Sequence, residues 1–105
     1  MEDTLKLSYR ERTLIAALGG EIDHHSAIGV RGKIDEAMFY YKPEFLIIDI
    51  GKVDFMDSSG IGLIMGRLAK AKELGTSLII QNPSKRVIRM LKMAGLDRII
   101  PITKA

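Results

Sequence analysis

Phe45-Leu46-Ile47-Ile48-Asp49-Ile50, and after it Val53-Asp54-Phe55-Met56-Asp57-Ser58-Ser59-Gly60-Ile61-Gly62, is the stretch that decides the fold. The first segment is a short apolar run of strand length, and the residues from Ile61 to Leu74 repeat at helical spacing. The motif between them therefore belongs to a strand-to-helix loop. With Asp57 as N-cap, its carboxylate accepts from the backbone N–H of Ser59 or Gly60, and Met56 packs on Ile61 as a hydrophobic staple. Ser58 then opens the first turn. A phosphate on its hydroxyl would lie near free N–H donors and the positive end of the helix dipole, so it would be held without unfolding anything. Its charge of about −1.5 to −2 would be felt by a docking partner. The alternative is a plain helix cap that is never modified.

Working outward, Leu5 to Ser8 alternates weakly, Arg10-Glu11-Arg12 is polar, and Thr13 to Leu18 is apolar up to Gly19-Gly20, which predicts an opening β-hairpin whose second strand the glycines stop. From Ser26 to Tyr41, residues Ile28, Ile34, Ala37, Met38 and Tyr41 recur at helical spacing, with Gly29 and Gly32 weakening the first half and Pro43 closing the helix. Phe45 to Ile50 shows almost no polar alternation, which predicts a strand buried on both faces in a sheet flanked by helices. The second helix runs from Ser58 to Leu74 and ends at Gly75. Ser77 to Ile80 reads as a further strand. Pro83 and Ser84 open a third helix, Gly95 closes it, and Ile99 to Ile102 makes a last short strand. The order β-β-α-β-α-β-α-β predicts an α/β fold, a mixed β-sheet with an N-terminal hairpin, parallel strands beyond it and right-handed crossovers. Gly19 to His25 and Val53 to Ser58 are both read as strand-to-helix loops on one edge of the sheet, which makes Asp23 and Ser58 near neighbours.

The chain has 105 residues, enough for one domain over residues 1–105. A hydrophobic fraction of 47% and a charged fraction of 28% belong to an ordinary soluble globule, with no apolar run of membrane-spanning length. The polar start Met1-Glu2-Asp3-Thr4 is unlike a signal peptide, so the cytoplasm is the expected address. The absence of cysteine excludes disulfides, thiolate metal sites and cysteine nucleophiles. A net charge of +3 is mild. The one dense basic stretch, Lys85 to Lys92, puts Val87, Met90, Leu91 and Ala94 on one helical face and carries no aromatic for base stacking, so it reads as a solvated helix face and no direct nucleic-acid contact is expected.

Gly20-Glu21-Ile22-Asp23-His24-His25, Asp54 to Gly62 and Ala94-Gly95-Leu96, taken in that order, resemble the landmarks of the anti-sigma factor antagonists of the STAS-domain family, and the wording of the first two is most like the sporulation sigma-F antagonists. The resemblance covers essentially the whole chain. One departure is that many members carry a further C-terminal helix beyond the equivalent of Ala105. The resemblance implies a STAS-like single domain and a partner-switching cycle in sporulation transcription control. In that cycle the unphosphorylated protein binds an anti-sigma factor with serine kinase activity and releases the sigma factor. Phosphorylation of the first serine of the pair, Ser58, ends the complex, and a serine phosphatase restores it. A dianion placed at a desolvated interface fits such a switch, because it loses hydration unless the partner supplies a cation.

The second helix offers a docking surface. On a wheel anchored at Ile61, residues Ile64, Met65 and Leu68 are expected in the core, and Gly62, Leu63 and Gly66 project outward, where the glycines either admit a partner's backbone or relieve crowding within the fold. Asp23, Asp57, Ser59, Gly60, Gly62, Leu63 and Gly66 are the expected partner-binding residues, with a helix cap the alternative for Asp23. No cofactor and no metal site is expected.

An enzyme is weighed because Asp57, Ser58 and His24-His25 supply hydrolase residue types, yet there is no Gly-x-Ser-x-Gly elbow and no histidine follows the serine. Two histidines without matched carboxylates complete no metal site. A nucleotide- or ligand-binding module without a phosphorylation switch is the other reading, prompted by Gly60-Ile61-Gly62 and Gly66. The Lys-Ser/Thr of a phosphate loop is absent, and these glycines lie within the helix.

Overall fold

The computed structural model describes residues 4–105, so Met1–Asp3, on which the reading of a polar start unlike a signal peptide partly rests, lie outside the described residues. Glu11 and Arg12 turn the chain with φ of 51° and 64°. They join β1 (Leu5–Arg10) to β2 (Thr13–Ile22) in antiparallel register from Leu5–Leu18 to Arg10–Thr13. Positive φ at both central positions is the type I′ hairpin, whose twist matches that of its strands. Neither residue is Gly or Asn, and the turn is held from outside. The Arg12 carbonyl accepts the backbone N–H of Glu44 at 2.8 Å and of Phe45 at 3.2 Å.

The chain continues as α1 (His24–Tyr41), β3 (Phe45–Met56), α2 (Ser58–Leu74), β4 (Ser77–Gln81), α3 (Lys85–Met93), a 3₁₀ turn at Leu96–Arg98 and β5 (Ile102–Thr103). The expected order and the mixed sheet are what the structure shows: β2 to β5 are parallel, and the sheet order β1-β2-β3-β4-β5 repeats the chain order. Right-handed crossovers that always step the same way leave every helix on the same side.

The burial pattern agrees. Leu14, Leu46 and Leu78 share one row of the register, Ala16, Ile48 and Ile80 the next, and all six are buried. The intervening row, Ile15, Ile47 and Ile79, is only half-buried. The expectation that the central strand is buried on both faces is therefore corrected. The core is one-sided, filled by Ile34 and Met38 of α1, Ile64 of α2, Leu91 of α3, and Leu96. Two residues expected in α1's apolar stripe, Ile28 and Tyr41, are 55% and 42% exposed.

Strand ends also differ from expectation. Gly19 and Gly20 do not stop β2, which runs on to Ile22 through register shifts at Ala17/Gly19 and Gly20/Glu21. A bulge uses glycine's freedom to keep a strand paired while bending it. Opposite it, β3 extends past Ile50 to Met56. The last strand lies at Ile102–Thr103 and not Ile99–Ile102, because the chain after Gly95 first makes the 3₁₀ turn.

Candidate functional site

The extended ends of β2 and β3 place the site. Ile22 pairs with Met56 in the parallel register, and the residue after each caps a helix, Asp23 for α1 and Asp57 for α2. The Asp57 N–H donates to the Ile22 carbonyl at 3.3 Å, fastening the two helix starts together. Both helices therefore begin side by side at the carboxyl edge of the sheet, where ligands and partners of α/β sheets gather. This is the juxtaposition expected for Asp23 and Ser58, reached from strands longer than the sequence suggested.

Asp57 is the N-cap expected of it. Its backbone is extended (φ −105°, ψ −165°) and its Oδ1 accepts the Ser59 N–H at 2.8 Å. The Asp57 carbonyl accepts from Gly60 at 3.0 Å. Ser58 is the first residue of α2 and is exposed, whereas Ser59 is half-buried. At α1, Asp23 closes a capping box: the Ser26 N–H donates to Asp23 Oδ1 at 2.9 Å, and the Asp23 N–H donates to Ser26 Oγ at 3.0 Å. The Ser26 N–H, before any other cause, holds the Asp23 carboxyl below the usual carboxylate range. The cap is thus the observed structural role of Asp23.

On α2 the buried residues are Gly60, Leu63, Ile64, Arg67 and Ala71, while Met65 is 49% exposed. Leu63 and Met65 have exchanged their expected places. Ile61, the anchor of the helical wheel, lies at the margin of the buried arc and is half-buried, so the face was misread by about one residue's rotation, ~100°. Gly62 remains exposed and Gly66 half-buried.

The glycines divide into two kinds. A Cβ at Gly60 would overlap Met56 Cγ, so Gly60 is required by the fold, and Met56 packs over Gly60. A Cβ at Gly62 or Gly66 would meet nothing within 4 Å among the described residues. Crowding within the fold does not explain those two.

On the α1 side of the site, sequence reasoning named Asp23 and missed the residues of the helix itself. A groove of about 190 Å³ separates the helices, walled by His24, Ile28 and Arg31 from α1 and by Ser59, Gly62 and Leu63 from α2. His24, Ile28 and Arg31 follow helical i, i+4, i+7 spacing, a signal that was present, but of the three only Ile28 was read, and it was assigned to the core stripe. His24 and His25 are exposed in the first turn of α1, and among the described residues no group of three metal-ligating side chains occurs. Among the described residues no helix is long and apolar enough to cross a membrane.

A one-sided α/β sheet whose carboxyl edge presents a capped serine at the start of its second helix defines a class, and comparison with known proteins gives it a name: the chain matches the STAS domain over residues 5–105 and belongs to that family. Within it the chain falls among the anti-sigma factor antagonists, which are regulatory binding proteins and not enzymes. It is 35% identical over 98 residues to the anti-sigma F factor antagonist of Paenibacillus polymyxa, covering 93% of this chain and 84% of that one. It superposes on the unphosphorylated anti-sigma factor antagonist SpoIIAA with a TM-score of 0.85 at 32% identity, covering 96% of this chain and 87% of the other. The phosphorylated form of the Bacillus cell fate determinant SpoIIAA matches with a TM-score of 0.78 at 30% identity, over 96% and 90% of the two chains.

Proposed function

We propose that this chain is the switched component of a partner-switching cycle in the cytoplasm, one that controls sporulation transcription. Unphosphorylated, it binds an anti-sigma factor that is also a serine kinase, and the sigma factor is released. Transfer of a phosphoryl group to Ser58 ends the complex, and a serine phosphatase reverses the modification. The observation that carries this reading is the position of Ser58: an exposed hydroxyl at the first turn of α2, beside an Asp57 that already caps the helix. A phosphate there alters the charge of a surface without removing any hydrogen bond the helix start depends on. That homologous SpoIIAA has been solved in a phosphorylated and an unphosphorylated form supports a fold that tolerates both states.

The partner surface in this reading is the outer side of α2 with the adjoining groove. Ser59, Gly62 and Gly66 present it, and Asp57 and Asp23 hold the two helix starts. Gly60 and Leu63 are buried and act by shaping it from beneath. Gly in a helix interior costs about 1 kcal/mol against Ala, and close approach by a partner is what the open space over Gly62 and Gly66 offers in return.

The experiment is to incubate the protein with ATP and its anti-sigma kinase and to locate phosphate by fragment mass spectrometry. One phosphoryl group on Ser58, with loss of the complex, is the expected result. Ser58→Ala keeps the complex and takes no phosphate, and Ser58→Asp weakens it. Binding without phosphorylation defeats the switch and leaves a plain interaction module.

A further inference from the structure

None of the chain's six aromatic residues is in the core. Tyr9 (36% exposed), Tyr40 (79%) and Tyr41 (42%) cluster where α1 ends, with Phe39 (68%) toward α2 and Phe45 (36%) at the start of β3. Tyr9 stacks on Tyr41 with ring centroids 4.3 Å apart, and Tyr40 meets Tyr41 edge-on at 4.9 Å. Exposed aromatic clusters are where protein interfaces concentrate their binding energy. The 18-residue α1 runs from Asp23 to this end, a length of ~27 Å at ~1.5 Å per residue, so the cluster is remote from Ser58 and is not part of the switch surface.

Beside the cluster runs a strand edge that has no partner among the described residues. β1 ends the sheet, and the Gly19 N–H donates to the Thr4 carbonyl at 3.1 Å. Antiparallel alternation from that pair turns the backbone groups of Lys6, Ser8 and Arg10 toward β2 and those of Leu5, Leu7 and Tyr9 outward. The side chains of Leu5, Leu7 and Tyr9 lie on the helix side of the sheet, paired with Leu18, Ala16 and Leu14. There, Leu7 meets Lys33, Glu36, Ala37, Tyr40 and Tyr41 in a largely apolar groove of about 550 Å³.

We propose that a second copy of this chain occupies this edge and groove, forming a two-fold dimer in which β1 pairs antiparallel with β1 of the other copy about an axis at Leu7. That register sets Leu7 against Leu7 and Leu5 against Tyr9, engages every outward backbone group, and puts Lys6 opposite Ser8. The neighbouring symmetric registers set Lys6 against Lys6 or against Arg10, and like charges directly opposed are unfavourable. Because Leu7 lies both on the axis and in the groove, the two grooves open onto each other. Lys33 and Glu36 carry opposite charges into the shared space, so it is self-complementary. Between the two β2 strands lie three strand spacings, ~14 Å, against ~8–10 Å for helices in direct contact. The space between the two α1 helices thus calls for long side chains, which Tyr40 and Tyr41 supply. The face beyond, with Ser58, stays open in both copies, so the dimer stands or falls independently of the phosphorylation switch.

Sedimentation equilibrium of the full chain from micromolar to millimolar concentration tests this. The expected result is a monomer–dimer equilibrium, weakened at least about tenfold by Tyr40→Glu, an exposed position whose change leaves the fold intact. Hydrogen exchange on the same samples supplies a second readout. The Leu5, Leu7 and Tyr9 amides gain protection as concentration rises, while Lys6, Ser8 and Arg10 are protected throughout. A monomer at all concentrations overturns the proposal and leaves the groove to a different protein. A dimer indifferent to Tyr40→Glu, without the alternating protection, overturns it by placing the interface elsewhere.

Discussion

Met56 occupies the space in which a side chain at Gly60 would begin: a Cβ there would overlap Met56 Cγ and stand 2.8 Å from its Sδ and 3.4 Å from Ile22 Cγ2. The last residue of β3 thus packs closely over the first turn of α2, with the serine pair between them. Met56 is buried, so it has little room to yield. Gly60→Ala is expected to lower stability by about 1–3 kcal/mol, outweighing the gain in helix propensity. Urea denaturation with an unchanged m-value checks it; a neutral or stabilised variant would show that Met56 repacks freely.

Gly62 and Gly66 behave in the opposite sense. With open space above both, Gly62→Ala and Gly66→Ala are each expected to raise stability by up to about 1 kcal/mol while weakening capture of the anti-sigma factor. Thermal denaturation and a pull-down with the purified partner separate the two effects. Undiminished binding by both variants would remove the glycines from the proposed interface.

These glycines also show how far the sequence could be read. Asp57 as N-cap, the limits of α2 and the order of elements were legible because caps and apolar periods are local signals. Which glycine serves packing was not, since Met56 reaches Gly60 only once β3 has its full length. That length was hidden because Lys52, Asp54 and Glu21 are exposed on a bulged pair of strands and interrupt the apolar pattern. One-sided burial was hidden for a different reason: Ile15, Ile47 and Ile79 are as apolar as a doubly buried strand requires, yet only half-covered. On α2, a buried arginine runs against every periodicity rule, and it shifted the reading of the buried face toward Met65.

That arginine yields a further prediction. Arg67 is 5% exposed, and its Nε lies 3.1 Å from Asp35 Oδ1, an ion pair joining α2 to α1. Burial pushes the guanidinium below its usual value and Asp35 opposes the shift. Removing one partner leaves a charge without its counter-ion, so Asp35→Ala is expected to cost about 1–3 kcal/mol, less than a fully buried pair because the Asp35 side chain is 31% exposed. Asp35→Leu combined with Arg67→Met is expected to recover most of the loss. A double variant that falls by the sum of the single changes would show that the two residues act separately.

The capping box at Asp23 makes stability depend on pH in a definite direction. The Ser26 backbone N–H holds the Asp23 carboxyl below its ordinary value, an effect partly offset by desolvation and reinforced by the Ser26 hydroxyl and by His25. A folded-state value below the unfolded one means that folding favours the carboxylate. The contribution is complete above the unfolded value and disappears as pH falls through the folded one. Asp23→Asn keeps a capping oxygen but cannot titrate. The stability difference between the wild-type chain and this variant should therefore be constant above about pH 5 and shrink steadily as pH is lowered toward about 2. Urea titrations across that range measure it. Curves that stay parallel would mean that Ser26 binds the neutral carboxyl as well as the charged one, and that the box holds α1 by geometry alone.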